Sequence, residues 1–195
     1  MTTLFIGDSV TDCDRELYPP LGNGWVKEIA DSGKVNGEII NVGTSGHRLI
    51  DLEARWRRDV LDHKPSTLTI NIGINDTWRR YDDNDPTSLE DFESRYDSLL
   101  RTTTSQFDVQ LVLCEPFLLH VRPDMKTWRE DLDPKISAIH RLAKKYNALL
   151  VPFDQEFSRL AAELGETTLA EDGIHPSEKG HKLMASLWLS IVASA

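Results

Sequence analysis

Cysteine is scarce: Cys13 and Cys114 are the only two in 195 residues, about a hundred positions apart. That spacing is neither a disulfide framework nor a metal-binding pattern, and each reads as a small apolar filler. Long hydrophobic runs are missing too, and none approaches the ~20 residues a membrane-spanning helix needs. Basic charge is in deficit, with 22 Lys+Arg against 32 Asp+Glu, a formal net charge of −10. Such a chain repels phosphate backbones and anionic lipid, which excludes nucleic-acid or membrane-surface partners recruited by bulk charge. The opening Met1-Thr2-Thr3-Leu4-Phe5-Ile6-Gly7 has no basic stretch, long apolar core or small-residue cleavage site. It reads as a first strand, and a cytoplasmic location is expected. No repeat, low-complexity tract or Pro/Gly-rich linker interrupts the chain, so a single domain over residues 1–195 is expected.

What is present is a recurring unit, a short apolar strand followed by an amphipathic helix. Strand candidates are Leu4–Ile6, Ile39–Val42, Leu68–Ile72, Val109–Leu113 and Leu149–Val151. Each is apolar on both faces, as strands of a parallel sheet covered by helices must be. Helical spacing joins Trp25 to Ala30; Leu49, Leu52, Trp56 and Val60; Phe92, Tyr96, Leu99 and Leu100; and Ile136, Ile139, Leu142, Ala143 and Tyr146. Leu183, Met184, Leu187, Trp188, Ile191 and Val192 form the widest stripe, near the C-terminus. Ser88 and Ser177 stand where helix caps belong. The alternation predicts an open, doubly wound α/β sheet, whose ligands bind outside the carboxyl ends of the strands.

Polar residues gather at those ends. After the first strand comes Gly7-Asp8-Ser9, where Gly7 permits a sharp turn and Ser9 offers a free hydroxyl; Asp8 and Ser9 could equally form only a turn or cap. After the second comes Gly43-Thr44-Ser45-Gly46-His47, which nearly spells a nucleophile elbow around Ser45. His47 stands where that motif needs glycine, so Ser45 is read as a helix cap and Gly46 as a backbone donor. After the third, Asn75 could aim an amide into the cleft, or serve as a turn residue. Near the end, Asp172-Gly173-Ile174-His175-Pro176 sets a carboxylate three residues before a histidine. Asp172 could then fix the His175 tautomer and leave the other ring nitrogen to take a proton. No grouping of His, Cys and acidic residues has metal-site spacing, and Asp82-Asp83-Asn84-Asp85 reads as a solvated acidic loop.

Four ordered blocks, Gly7-Asp8-Ser9, Asn41 to Gly46, Gly73-Ile74-Asn75-Asp76 and Asp172 to Pro176, resemble those of the SGNH/GDSL hydrolases. The resemblance spans Leu4 to about His181. It implies a flavodoxin-like three-layer α/β/α sandwich around a central five-stranded parallel sheet, and ester hydrolysis without metal or cofactor. By position it implies Ser9 as nucleophile, His175 as general base and later acid, and Asp172 as its orienter. It also implies an oxyanion hole from the backbone amides of Ser9 and Gly46 and the side chain of Asn75. Gly22-Asn23-Gly24-Trp25-Val26, Asp51 to Trp56 and Gly73 to Arg79 are similar to the intracellular acetylxylan esterase branch, which implies deacetylation of xylose-based oligosaccharides.

The expected partner is therefore a small acetylated saccharide or another short-chain ester. Asp8, Trp78 and Arg79 are the candidate substrate-binding residues, and Trp78, Tyr81 and Trp128, placed in loops after strand ends, are candidates for stacking on a sugar. A lysophospholipase or thioesterase keeps the same triad but needs a long apolar groove. A noncatalytic glycan-binding protein on the same fold is the reading from a different class. A homo-oligomer is compatible, since some of the five tryptophans could lie at subunit contacts.

Overall fold

The structure, a computed structural model, describes residues 1–192. Its centre is a five-stranded, all-parallel sheet of order β2-β1-β3-β4-β5. The strands are β1 (Thr2–Gly7), β2 (Glu38–Asn41), β3 (Thr67–Asn71), β4 (Gln110–Cys114) and β5 (Leu149–Val151). Register aligns Leu4 with Ile40 on one side and Leu68 on the other, and Leu68 with Leu111. All five expected strands are present, shifted at their ends by at most two residues.

The central strands β1, β3 and β4 are buried on both faces, the edge strands β2 and β5 only in part, and alternate side chains feed two cores. Leu4 and Ile6 pack with α3 (Leu49–Trp56), α5 (Leu89–Thr104) and α6 (Met125–Lys145). Phe5, Val112 and Cys114 pack on the other face with α2 (Trp25–Asp31), α7 (Phe153–Leu164) and α9 (Glu178–Val192). The result is the expected three-layer α/β/α sandwich. A third, smaller cluster joins Ile74, Leu118, Met125, Trp128, Leu132 and Ile174 at the carboxyl edge. The short helices α1 (Ser9–Asp12), α4 (Ile74–Asp82) and α8 (Glu166–Leu169) complete the described elements, with one π turn, Arg57–Leu61, continuing α3.

Sequence periodicity missed part of this. α4 holds Asn75, Trp78 and Tyr81, which were expected in loops. α6 runs straight through Pro134, although the expected helix began only at Ile136. α7 was not anticipated, although Phe153, Phe157, Leu160, Ala161 and Leu164 share one face. Ser88 does cap α5, accepting from Asp91 N at 3.1 Å, and Ser177 Oγ accepts from Gly180 N at 3.2 Å.

Candidate active site

The strand order reverses direction around β1, whose neighbours are β2 and β3. The loops leaving the adjacent strands β1 and β3 therefore part to opposite faces, toward α2 and α5, and open a crevice at the carboxyl edge. Three of the polar segments follow β1, β2 and β3, and the fourth precedes α9. A cleft of about 520 Å³ lies there, lined in part by Ser9, Gly46, Asn75, Trp78, Arg79 and His175.

Local chemistry sets Ser9. Asp8 is extended (φ −100°) and its carboxylate accepts from Val10 N at 3.0 Å, capping α1. A Cβ on Gly7 would stand 2.2 Å from the Asn71 carbonyl oxygen, so only glycine lets β1 turn this close to β3. Ser9 then begins α1, where a helix leaves its first N–H groups without intrahelical partners.

Its hydroxyl stands 2.9 Å from His175 Nε2, and His175 Nδ1 stands 2.6 Å from Asp172 Oδ2. The other Asp172 oxygen accepts from the amides of Ile174 (2.9 Å) and His175 (2.8 Å). Partial burial favours the neutral Asp172 carboxyl, but these hydrogen bonds outweigh it and hold its pKa well below the carboxylate range. The same contact with Asp172 raises the His175 pKa against burial, which works to lower it. With Nδ1–H committed to Asp172, Nε2 is the acceptor for the Ser9 proton. The chain can move a proton off the hydroxyl.

Gly46 adopts a left-handed backbone (φ +79°) that side chains resist. Its neighbours are tied on both sides: Ser45 N and Oγ donate to Asp12 Oδ2 at 3.2 and 2.7 Å, and Asn75 Nδ2 donates to the His47 carbonyl at 3.0 Å. Ser45 thus caps no helix, a correction to the sequence reading; α3 begins after Arg48, with Leu49 N donating to buried Asp76 at 3.1 Å. Asn75 carries two amide hydrogens and uses one on His47, which leaves the other for the cleft.

Among the substrate-binding candidates, Trp78 and Arg79 line the cleft. The Trp78 ring centroid is 6.2 Å from that of His175, and Arg79 Nη2 lies 3.7 Å from where a Gly46 Cβ would stand. Asp8 does not line it. The Asp8 carboxylate is 1% exposed beneath Ser9, and burial pushes its pKa up to about 7. Trp128 is 2% exposed within α6, so it presents no free face as a platform, and Tyr81, stacked on it at 5.2 Å and 7°, does not line the cleft.

Sequence reasoning overlooked Cys13, Asp14 and His181, which also line the cleft. Burial lowers the His181 pKa to about 4, with His175 adding to the effect, and Cys13 is pushed up to about 12, first by burial and then by Asp12. Cys13 is thus no reactive thiol. Among the described residues no cluster of His, Cys, Asp and Glu could hold a metal, and no helix is long and apolar enough to cross a membrane.

Residues 5–183 match the model of the GDSL-like lipase/acylhydrolase family. The chain is 32% identical to an acetylxylan esterase of Geobacillus stearothermophilus, covering 95% of this chain and 91% of the relative. It is 24% identical to the thioesterase 1/protease 1/lysophospholipase L1 of Escherichia coli, over 97% and 81%. A solved structure of the Geobacillus esterase Axe2 superposes with a TM-score of 0.86 at 31% identity, over 97% and 92% of the chains. One from Parabacteroides merdae, described as a GDSL-like lipase, gives 0.89 at 30%, over 97% and 94%. Variants of Axe2 with a serine, an aspartate or a histidine changed to alanine are described as catalytic mutants.

Proposed function

The chain belongs to the GDSL-like lipase/acylhydrolase family and is a carboxylic ester hydrolase, and from that premise we propose that it deacetylates small carbohydrate esters such as acetylated xylo-oligosaccharides through a Ser9–His175–Asp172 triad. The observation carrying the mechanism is the unbroken hydrogen-bonded chain from Ser9 Oγ through His175 to Asp172. The relation to an acetylxylan esterase, and a cleft lined mainly by Ser, Asp, Asn, Arg and His in place of an aliphatic groove, support the short acyl group and polar alcohol.

In this reading His175 Nε2 takes the Ser9 proton as Oγ bonds to the acetyl carbon. The oxyanion is met by the Ser9 and Gly46 amides and the spare Asn75 N–H. Collapse breaks the ester C–O bond, and the sugar oxygen leaves with the proton held by His175. Water then attacks the acetyl-Ser9 ester, giving its proton to His175, and the second collapse returns that proton to Oγ and releases acetate. Asp172 stays ionised and stabilises the imidazolium at each stage. Trp78 offers the alcohol side an aromatic wall, and Arg79 a cation beside Gly46. Both cysteines are free, which fits a reducing compartment and a cytoplasmic location.

A fluorophosphonate tests the nucleophile. Peptide mapping should find the adduct on Ser9 with activity lost in step, while a chelator leaves activity intact. An adduct on Ser45, or none, would contradict the assignment.

A further inference from the structure

Beneath the cleft floor, one buried guanidinium reaches both loops that carry backbone donors. Arg55, on α3 and 9% exposed, donates from Nη2 to the Gly7 carbonyl at 3.2 Å, two residues before Ser9. Its Nη1 donates to the Val42 carbonyl at 2.7 Å, just past β2, and to Asp59 at 2.6 Å, one turn along, a carboxylate it shares with Arg58. Its Nε donates to His47 Nδ1 at 3.1 Å, next to Gly46. His47 is gripped a second time through its carbonyl, by the Asn75 amide at 3.0 Å.

The spare capacity in this arrangement is informative. Holding the end of β2 needs no histidine ring, because Arg15 from the other side already donates to the carbonyls of Asn41 (2.9 Å) and Gly43 (3.1 Å). The ring contact acts one step further on, at the left-handed Gly46, whose other neighbour is pinned by Asp12. We propose that Arg55 and His47 are positioning residues: their side-chain contact sets the separation of the oxyanion donors on the Ser9 and Gly46 loops. Through His47 it also registers Asn75 against both. Burial first, and then the Arg55 charge, hold the His47 pKa below its ordinary value, so the accepting nitrogen is unprotonated at neutral pH. The inference rests on the esterase reading above, and in particular on the oxyanion donors named there.

The test uses the full chain and a short aryl acetate. His47→Leu removes the acceptor, and His47→Asn restores an oxygen near the position of Nδ1. Misplaced donors should lower kcat about tenfold or more with KM held within about threefold, since the transition state feels the shift and the bound ester does not. His47→Asn should recover most of that loss. A folded Leu variant that loses less than about tenfold in kcat, or whose loss sits in KM, overturns the proposal. Should the Leu variant not fold, the Asn variant decides: kcat above about a tenth of wild type supports the proposal and a lower value overturns it. Ser9→Ala, measured alongside, separates the two levels. Hydrolysis that survives Ser9→Ala refutes the site itself, whereas Ser9-dependent hydrolysis untouched by His47→Leu refutes only the positioning role.

Discussion

Asn75→Ala tests the proposed side-chain donor of the oxyanion hole. The residue is 3% exposed in the first turn of α4, and its amide already holds the His47 carbonyl at 3.0 Å. Alanine removes two things at once, the hydrogen free for the oxyanion and the partner of a carbonyl at the cleft wall. Loss of one oxyanion donor lowers kcat about 10²–10³-fold, about 2.7–4 kcal/mol at the transition state. Loss of the hydrogen bond costs about 1 kcal/mol of stability, which for a chain of this size lowers Tm by about 2–4 °C. The two effects differ in kind, so both are needed: kcat and KM from aryl acetate hydrolysis, and Tm from circular dichroism. The expected variant is folded, slightly less stable, nearly unchanged in KM and slower by two to three orders of magnitude. A folded Asn75→Ala protein within about fivefold of wild-type kcat would refute the placement of the second amide hydrogen.

Other outcomes follow from the buried titratable groups. Because His175, as the proposed base, must be neutral to act and Asp172 raises its pKa, kcat/KM should rise with pH through a midpoint above 6.5 and then level off; a profile falling from pH 6 to 8 contradicts it. Burial raises Asp8 to about 7 and Asp76 to about 6 from an ordinary value of 3.8, so the folded state binds more protons than the unfolded across that window. Their contribution to stability therefore falls as pH rises from about 4 to 7. Asp8→Asn, which keeps a capping oxygen, should flatten the decline of Tm between pH 5 and 8, and an unchanged slope would count against it. Tyr96 is fully buried with no partner for its hydroxyl, so Tyr96→Phe should leave Tm unchanged or raise it; a drop of several degrees would show that the hydroxyl is satisfied. Burial also pushes both cysteine thiols up, so native protein should resist iodoacetamide near neutral pH, and rapid labelling of Cys13 would refute its assigned protonation.

How legible all this was depended on range. Strands buried on both faces, such as Leu4–Ile6, declare themselves by composition alone, and so did the wide stripe of α9. The sheet's carboxyl edge then gathered Ser9, Gly46 and Asn75 by topology, and Asp172 and His175 lie close enough in sequence to meet within one loop. α4 was harder, because Ile74, Trp78 and Tyr81 supply a narrow apolar stripe among six polar residues, and Asn75 at its start resembles a turn. The first half of α6 was missed as well, since the apolar face read from sequence began only at Ile136. Arg55 could not be read as a clamp, since its acceptors lie 48, 13 and 8 residues away and only the folded sheet assembles them. Asp8, a substrate-binding candidate by its place beside Ser9, is instead buried and spends its carboxylate on capping Val10 N.

The central claim, serine-dependent deacetylation of a sugar ester, is tested most directly by acetate release. Wild type and Ser9→Ala would be compared on acetylated xylo-oligosaccharides and on aryl esters of two to twelve carbons. Release should vanish in Ser9→Ala, be more efficient on the oligosaccharides than on any aryl ester, and decline beyond the shortest acyl chains. Equal release by the two proteins would contradict the site, and an optimum at about eight carbons or longer would contradict the substrate.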